Sequence, residues 1–456
     1  DERWGRTYES YSEDPAIVVS YAGRFVKGLQ GDLGRDSVIA CAKHWVGDGG
    51  TTRGVDQGDT ALPEAELERL HIRPYYPALE AGVLTVMASY NSWNGLKCHG
   101  HHYLLTDVLK ERMGFQGFII SDWDGTDQLS EDFEEAIALG ANAGIDMFMV
   151  STKWRRCLAS LKAHVASGVV PMARIDDAVR RILTVKLRYG LFERPRPSKR
   201  PWSRPGVLGA PEHRAVAREA VRKSLVLLKN ERGILPLKPK ARILVAGKNA
   251  DNLGHQCGGF TIAWQGTSGN DAVIGGTSIW QGIQAAAPNA VLSVDGSAAN
   301  PAKHDVAIVV IGETPYAEGM GDIRGSGYVA PGSMPNALPT AKLNPYGNTL
   351  ELVARHPEDL ATIRAVRATG IPVVVVLVSG RPVVINQELS EAAAFVAAWL
   401  PGSEGQGVAD VIFGEHDFQG KLSCSWPKGP DDSPNVGDEP YAPLFPYGHG
   451  LRYRDK

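Results

Sequence analysis

The stretch Gly117-Phe118-Ile119-Ile120-Ser121-Asp122-Trp123 is an apolar run that ends in a carboxylate flanked by a hydroxyl and an indole. A buried strand has no structural use for that ending, because a carboxylate beside a large aromatic ring loses hydration unless a partner or a reaction compensates it. Asp122 is therefore the first candidate for chemistry. A second is found in Ile311-Gly312-Glu313-Thr314-Pro315-Tyr316-Ala317-Glu318-Gly319, where a buried strand runs into a Gly/Pro loop bearing two carboxylates. Glu313 lies nearer the strand end, and Glu318 lies far enough out to reach across an interface. A loop glutamate is usually just solvated. Paired with a strand-end aspartate from another unit, Glu318 becomes a candidate general acid.

Lys43-His44 follows another apolar run, and Tyr90-Asn91 a third. Either pair could be an ordinary strand end, with Tyr90 a core aromatic. On one rim with Asp122, however, a cation and hydrogen-bond donors suit a polyhydroxylated ligand. Cys98-His99-Gly100-His101-His102 has metal-type residues, but no second cluster accompanies it and no metal is assigned. Gly319-Met320-Gly321-Asp322-Ile323-Arg324-Gly325 has the wrong last spacing for a dinucleotide fingerprint and opens no helix. There is no nucleophile elbow or P-loop.

The elements that must position these residues read as α/β. Candidate strands at Val38–Ala42, Leu84–Ser89, Phe118–Ser121 and Ile145–Val150 alternate with helical stretches at Glu64–Leu79, Leu104–Arg112 and Ile175–Tyr189. Polar residues gathered at the carboxyl ends of parallel strands are how a (β/α)8-type barrel builds a site. Only four such units are visible, whereas a closed ring takes eight strands in about 250 residues, so the N-terminal part of the barrel is expected to be missing. Open sheet edges, with Val38, Val86 and Ile119 facing water, are then expected to favour a homodimer or a complementing N-terminal fragment.

Residues 193–211 carry five prolines among basic residues and read as a linker between a barrel-type unit over 1–192 and a second unit over 212–456. The second unit opens with an expected helix, Glu212–Lys229. Strands at Ile243–Ala246, Val306–Ile311, Val373–Val378 and Ala394–Trp399 then predict an α/β sandwich with a mostly parallel sheet.

Composition narrows the ligand. With 456 residues, 43% hydrophobic and 22% charged, the chain is long enough for a large core and for two or three domains. A formal charge of −3 offers no basic footprint for nucleic acid or anionic lipid. Five dispersed cysteines suggest no disulfide framework. No apolar run reaches the roughly 18 residues of a membrane span. A small neutral or weakly charged ligand fits best.

In their order along the chain, these residues resemble glycoside hydrolase family 3, in particular its two-domain β-glucosidases and β-glucan exo-glucohydrolases. The likeness runs through Arg3-Trp4-Gly5-Arg6-Thr7-Tyr8-Glu9-Ser10-Tyr11-Ser12-Glu13-Asp14, Ala42-Lys43-His44-Trp45-Val46-Gly47-Asp48-Gly49 and Ser121-Asp122-Trp123. It continues in Ser224-Leu225-Val226-Leu227-Leu228-Lys229-Asn230, Ser379-Gly380-Arg381-Pro382 and Trp399-Leu400-Pro401-Gly402-Ser403-Glu404-Gly405. The resemblance implies a retaining, exo-acting β-glucosidase that uses no cofactor, with Asp122 as nucleophile and Glu318 as acid/base. It implies that Arg6, Lys43, His44 and Tyr90 hold the terminal sugar or steady the nucleophile, and that Trp123 and Trp264 sandwich the next sugar. It favours a periplasmic or secreted setting without fixing the compartment.

The sequence departs from the family pattern in three places. An upstream sugar-binding aspartate has no counterpart, Gln57 stands where a glutamate is usual, and the stretch 325–348 is longer, reading as a lid, a dimer contact or disorder. Two rival readings are a β-N-acetylglucosaminidase of the same family, which would carry a histidine where Val46-Gly47-Asp48-Gly49-Gly50-Thr51 has none, and a sugar-binding protein without turnover.

Overall fold

The computed structural model describes residues 1–324 and 346–455, so most of the 325–348 stretch lies outside the described residues. Three parallel strands organise the first unit: β1 (Cys41–Trp45), β2 (Thr85–Ala88) and β3 (Phe118–Ile120), in that spatial order. Val86 and Ile119 are buried against Val26, Ala78, Leu104, Val108 and Leu109, which corrects the expectation that they face water. Their side chains point to the helix-covered face. Val38 is exposed as expected.

The fourth expected strand, Ile145–Val150, is reduced to one parallel bridge between Ile120 and Met147. Backbone bonds from Met147 N to Ile119 O at 3.0 Å and from Ser121 N to Met147 O at 2.9 Å carry that bridge, while the Asp146 side chain accepts from Ile119 N at 2.8 Å and from Lys110 Nζ at 2.7 Å. The described residues of the first unit thus form two separate three-stranded sheets, the second built from Asp59–Thr60, Ser92–Trp93 and Leu96–Lys97, and do not close a barrel. Its helices include α1 (Pro15–Gln30), capped by Asp14, α2 (Phe133–Ala143), capped by Asp132, α3 (Trp154–Ala166) and α4 (Met172–Arg188). The expected helix Glu64–Leu79 is broken into Glu64–Leu67, a wide turn over Glu68–Ile72, and Tyr75–Glu80. Pro74 and Pro77 lack the N–H groups that a continuous helix needs.

Beyond two single turns at Pro197–Lys199 and Pro201–Ser203, the second unit begins with α5 (Pro211–Ser224). The helix expected over Glu212–Lys229 stops at Ser224. Leu225 to Leu228 are all buried, a continuous apolar run with no helical period, and β4 (Val226–Asn230) forms there instead as an antiparallel edge strand. With β5 (Ile243–Ala246), β6 (Val291–Leu292), β7 (Val306–Gly312), β8 (Val373–Val378) and β9 (Ala394–Trp399), it makes a six-stranded sheet in the order β4-β9-β8-β7-β5-β6, parallel except at β4.

Every residue of β7 and β8 is buried because helices cover both faces. One face packs on α5, α6 (Ile279–Ala286) and α8 (Gly405–Ile412) through Val221, Ile283 and Val408. The other packs on α7 (Pro357–Ala368) through Ile363 and Val366. Strand order reverses between β5 and β7. The crevice outside the carboxyl ends of strands at such a reversal is where open α/β sheets bind ligands, and the loops bearing Trp264 and Glu318 leave the sheet from these two strands.

Candidate active site

The parallel run of β1, β2 and β3 brings the ends of all three strands to one rim. Asp122 stands just past β3, its side chain 15% exposed. Its Oδ1 accepts the backbone N–H of Trp123 at 2.7 Å, and its Oδ2 lies 3.4 Å from His44 Nε2. His44 is within β1, since the strand runs through Lys43 and His44 rather than ending at Ala42. The other ring nitrogen, Nδ1, is 3.0 Å from Asp48 Oδ2. Burial alone would raise the Asp48 carboxyl, but the hydrogen bond and charge of His44, with Arg6 and Lys43, hold it below the usual carboxylate range. Asp48 thereby fixes the ring that faces Asp122.

The backbone N–H of Asp122 donates to His99 Nε2 at 2.9 Å. Burial pushes His99 down to about 4, so this ring is neutral and can accept there. The Cys98–His102 stretch does not gather: Cys98 turns to Val46 O, His101 stacks on Trp93 and His102 faces Asp107. Among the described residues no three His, Cys, Asp or Glu side chains converge to hold a metal ion.

Tyr90 is buried, its ring 5.6 Å from that of His99, and its hydroxyl finds no hydrogen-bond partner among the described residues. Burial, then the charges of Asp122 and Glu318, hold the phenol in its protonated form. A buried, unpaired donor that feels both carboxylates is well placed for an oxygen of a ligand. Lys43 is exposed and makes no hydrogen bond or ion pair with the described residues, although its charge is felt at Asp48.

From the second unit comes Glu318, in the left-handed region at φ 52°. Its side chain is 20% exposed, with Oε1 3.7 Å from Arg6 Nη1. Burial raises its carboxyl above the usual range; Arg6 opposes this and the charge of Asp122 adds to it. The Asp122 charge thus acts on Glu318 across the interface. Arg6 is itself held in a fork by Glu9, at 2.8 and 2.9 Å.

Glu313 is excluded from acid work by its surroundings. Although burial raises it, Arg381 and Arg355 hold it below the usual range, and Tyr316 Oη and Gly380 N donate to it at 2.8 and 3.1 Å. The Glu313 carboxylate is the anchor beneath the Glu318 loop.

Trp123 and Trp264 are both exposed. The turn holding Trp264 is closed by Phe260 N to Trp264 O at 2.9 Å, and neighbouring Gln265 Oε1 accepts from Ala317 N at 2.8 Å, tying this loop to the residue before Glu318. Phe260 lies under the Arg6 guanidinium, 5.8 Å from ring centre to Cζ. Sequence reasoning missed Asp48, His99, Glu9 and Phe260. The first and third were signalled by spacing, four residues after His44 and three after Arg6; His99 was read only within a metal-type stretch, and nothing local marked Phe260.

A carboxylate on a parallel-strand rim, opposed by a second from another unit and bordered by open indoles, is an arrangement suited to glycoside chemistry. The chain matches the Glycosyl hydrolase family 3 N terminal domain over residues 1–185 and the Glycosyl hydrolase family 3 C-terminal domain over residues 225–453. It belongs to glycosyl hydrolase family 3. A mutant form of an exo-1,3/1,4-β-glucanase from a Pseudoalteromonas species, solved by crystallography, is 47% identical with a TM-score of 0.91, the match covering 100% of this chain and 72% of that one. A β-xylosidase of Formosa agariphila is 32% identical over 99% of this chain and 65% of its own length, and a periplasmic β-glucosidase of Salmonella typhimurium 31% over 99% and 63%. The chain therefore spans less than two thirds of the length of these two curated relatives.

Proposed function

We propose that the chain is an exo-acting, retaining β-glucosidase that removes terminal β-D-glucosyl residues from β-glucans, oligosaccharides or aryl glucosides. The observation that carries this is the approach of Glu318, raised by burial and by Asp122, to a rim where Asp122 is held by His44 and by the N–H of Trp123. The Asp122 carboxylate attacks the anomeric carbon while Glu318 gives its proton to the departing oxygen. Ionised Glu318 then takes a proton from the water that displaces Asp122. Arg6, Lys43, His44 and Tyr90 hold the sugar being transferred, and Trp123 with Trp264 borders the next one. The chemistry needs no cofactor.

We further propose that residues 1–192 are part of a (β/α)8-type barrel joined by the 193–211 linker to the unit over 212–456. Exposed apolar side chains on α1 (Tyr21, Phe25, Leu29) and α4 (Val179, Leu183, Leu187) support its association with a second copy or a complementing fragment. A periplasmic or secreted setting rests on family resemblance alone.

Incubation with a 2-deoxy-2-fluoro-β-glucoside followed by peptide mass analysis tests the mechanism. A glucosyl adduct on the peptide holding Asp122 is expected, and an adduct elsewhere refutes the assignment. Parallel assays with aryl glucoside, xyloside and N-acetylglucosaminide separate the sugar classes. Sugar binding without turnover of any of them would make the protein a binding module.

A further inference from the structure

Asp322, four residues beyond Glu318, is 1% exposed; its carboxylate lies 3.5 Å from Arg324 Nε in its own loop and reaches the opposite unit. Oδ1 accepts the backbone N–H of Gly5 and Oδ2 that of Asp56, each at 2.9 Å. The contact is close-fitting. A methyl group added at Gly5 would stand 2.0 Å from Glu318 O, so the two backbones touch where the proposed acid sits. Ile323 N donates to Arg3 O at 2.8 Å just beyond, and Arg6, in the turn that Gly5 begins, reaches the Glu318 carboxyl. The loop is anchored on its own side by Glu313 and on the far side by Asp322, with Glu318 between the two.

We propose that Asp322 is a positioning residue for Glu318: by clasping the N–H groups of Gly5 and Asp56, it sets where the acid stands over Asp122. The role rests on the reading of Glu318 given above. It follows from geometry, since a carboxylate accepting two N–H bonds from two separate segments fixes both distance and rotation, whereas a single bond leaves a pivot. Asparagine has the same shape but turns an NH2 group towards one of the two N–H donors, so that one bond is lost and repulsion replaces it.

The test is a double-mutant cycle with two substrates. One is 2,4-dinitrophenyl β-glucoside, whose leaving group departs without a proton; the other is laminaribiose, whose leaving alcohol needs one. Asp322→Asn is expected to lose roughly 10- to 100-fold in kcat/KM on laminaribiose, the range of an ångström-scale misplacement, and little on the activated substrate. In a Glu318→Ala background the same change is expected to cost nothing further on laminaribiose. Equal loss on both substrates, or an unchanged additive loss in that background, overturns the role of Asp322. If Glu318→Ala itself shows no dependence on leaving group, the acid assignment falls and this role falls with it. Should Asp322→Asn fail to fold, Asp322→Ser, which removes the two-oxygen clasp without adding volume, takes its place. It must give the same laminaribiose-selective loss, and a uniform loss there overturns the proposal.

Discussion

Removing the indole of Trp264 should weaken disaccharide binding by a calculable amount and leave a substrate without a second sugar unaffected. Trp264 is 45% exposed and Trp123 is 53% exposed. Taking about 200 Å² for an indole side chain, roughly 100 Å² of each is open to a ligand. A pyranose ring covering half of that removes about 50 Å² from water, worth about 1.3 kcal/mol at ~25 cal/mol per Å², or close to tenfold in affinity. Trp264→Ala should therefore raise KM for laminaribiose about tenfold. β-Glucosyl fluoride, whose leaving group is a single atom, should show no change. The Trp123 backbone N–H that caps Asp122 survives substitution, so Trp123→Ala tests the ring without removing that bond. If the two rings act independently, the double variant should lose about a hundredfold. Initial rates on the two substrates over a range of concentrations supply the ratio. Equal KM changes on disaccharide and fluoride would refute the clamp.

Three further outcomes are expected. The Glu388 carboxyl is pushed up to about 7 by burial; a raised carboxyl costs nothing while protonated, and stability is lost as pH rises from the usual carboxylate range through 7. Glu388→Gln should therefore stabilise at pH 8 by up to about 3 kcal/mol and change little at pH 5, read by urea unfolding at both. Asp48 has a depressed carboxyl, so its contribution is present above the usual range and lost as pH falls through its folded value. Asp48→Asn should flatten that acid-side loss and lower kcat about tenfold by freeing the His44 ring; an unchanged kcat would count against this orienting role. Static light scattering should show concentration-dependent association, with Leu183→Glu and Phe25→Glu reducing it, whereas a monomer at every concentration would refute that expectation.

The second unit was largely legible because its strands are buried on both faces, so Val373–Val378 reads as an unbroken apolar run and folds as one. The first unit was harder because its strands carry the site. β1 contains Lys43 and His44 and begins at Cys41, near the end of the run Val38–Ala42 that suggested it. The expected strand at Ile145 shrinks to a single bridge at Met147, beside the buried carboxylate of Asp146 that pairs with Lys110. Asp122 stood out as a carboxylate at odds with its local sequence, and Glu318 only through its pairing with it. Asp48 and His99 did not, because their roles exist only once β1 and β3 lie on one rim.

The first thirteen residues fall before the linker, yet their bonds run to the second unit. Arg381 donates to Glu2 O at 3.1 Å and also reaches Trp4 O, Tyr8 Oη donates to Tyr316 O at 3.1 Å, and Glu13 accepts from Ser425 N at 2.8 Å. In mechanical terms, the border between bodies that could move separately runs near the start of α1, far from the Pro-rich segment where the sequence divides. An opening along that border would have to break the bond from Asp56 N to Asp322, and would carry Arg6 away with Glu318 and leave His44 with Asp122. The grip on a bound sugar would then come apart as two halves, each leaving with its own carboxylate.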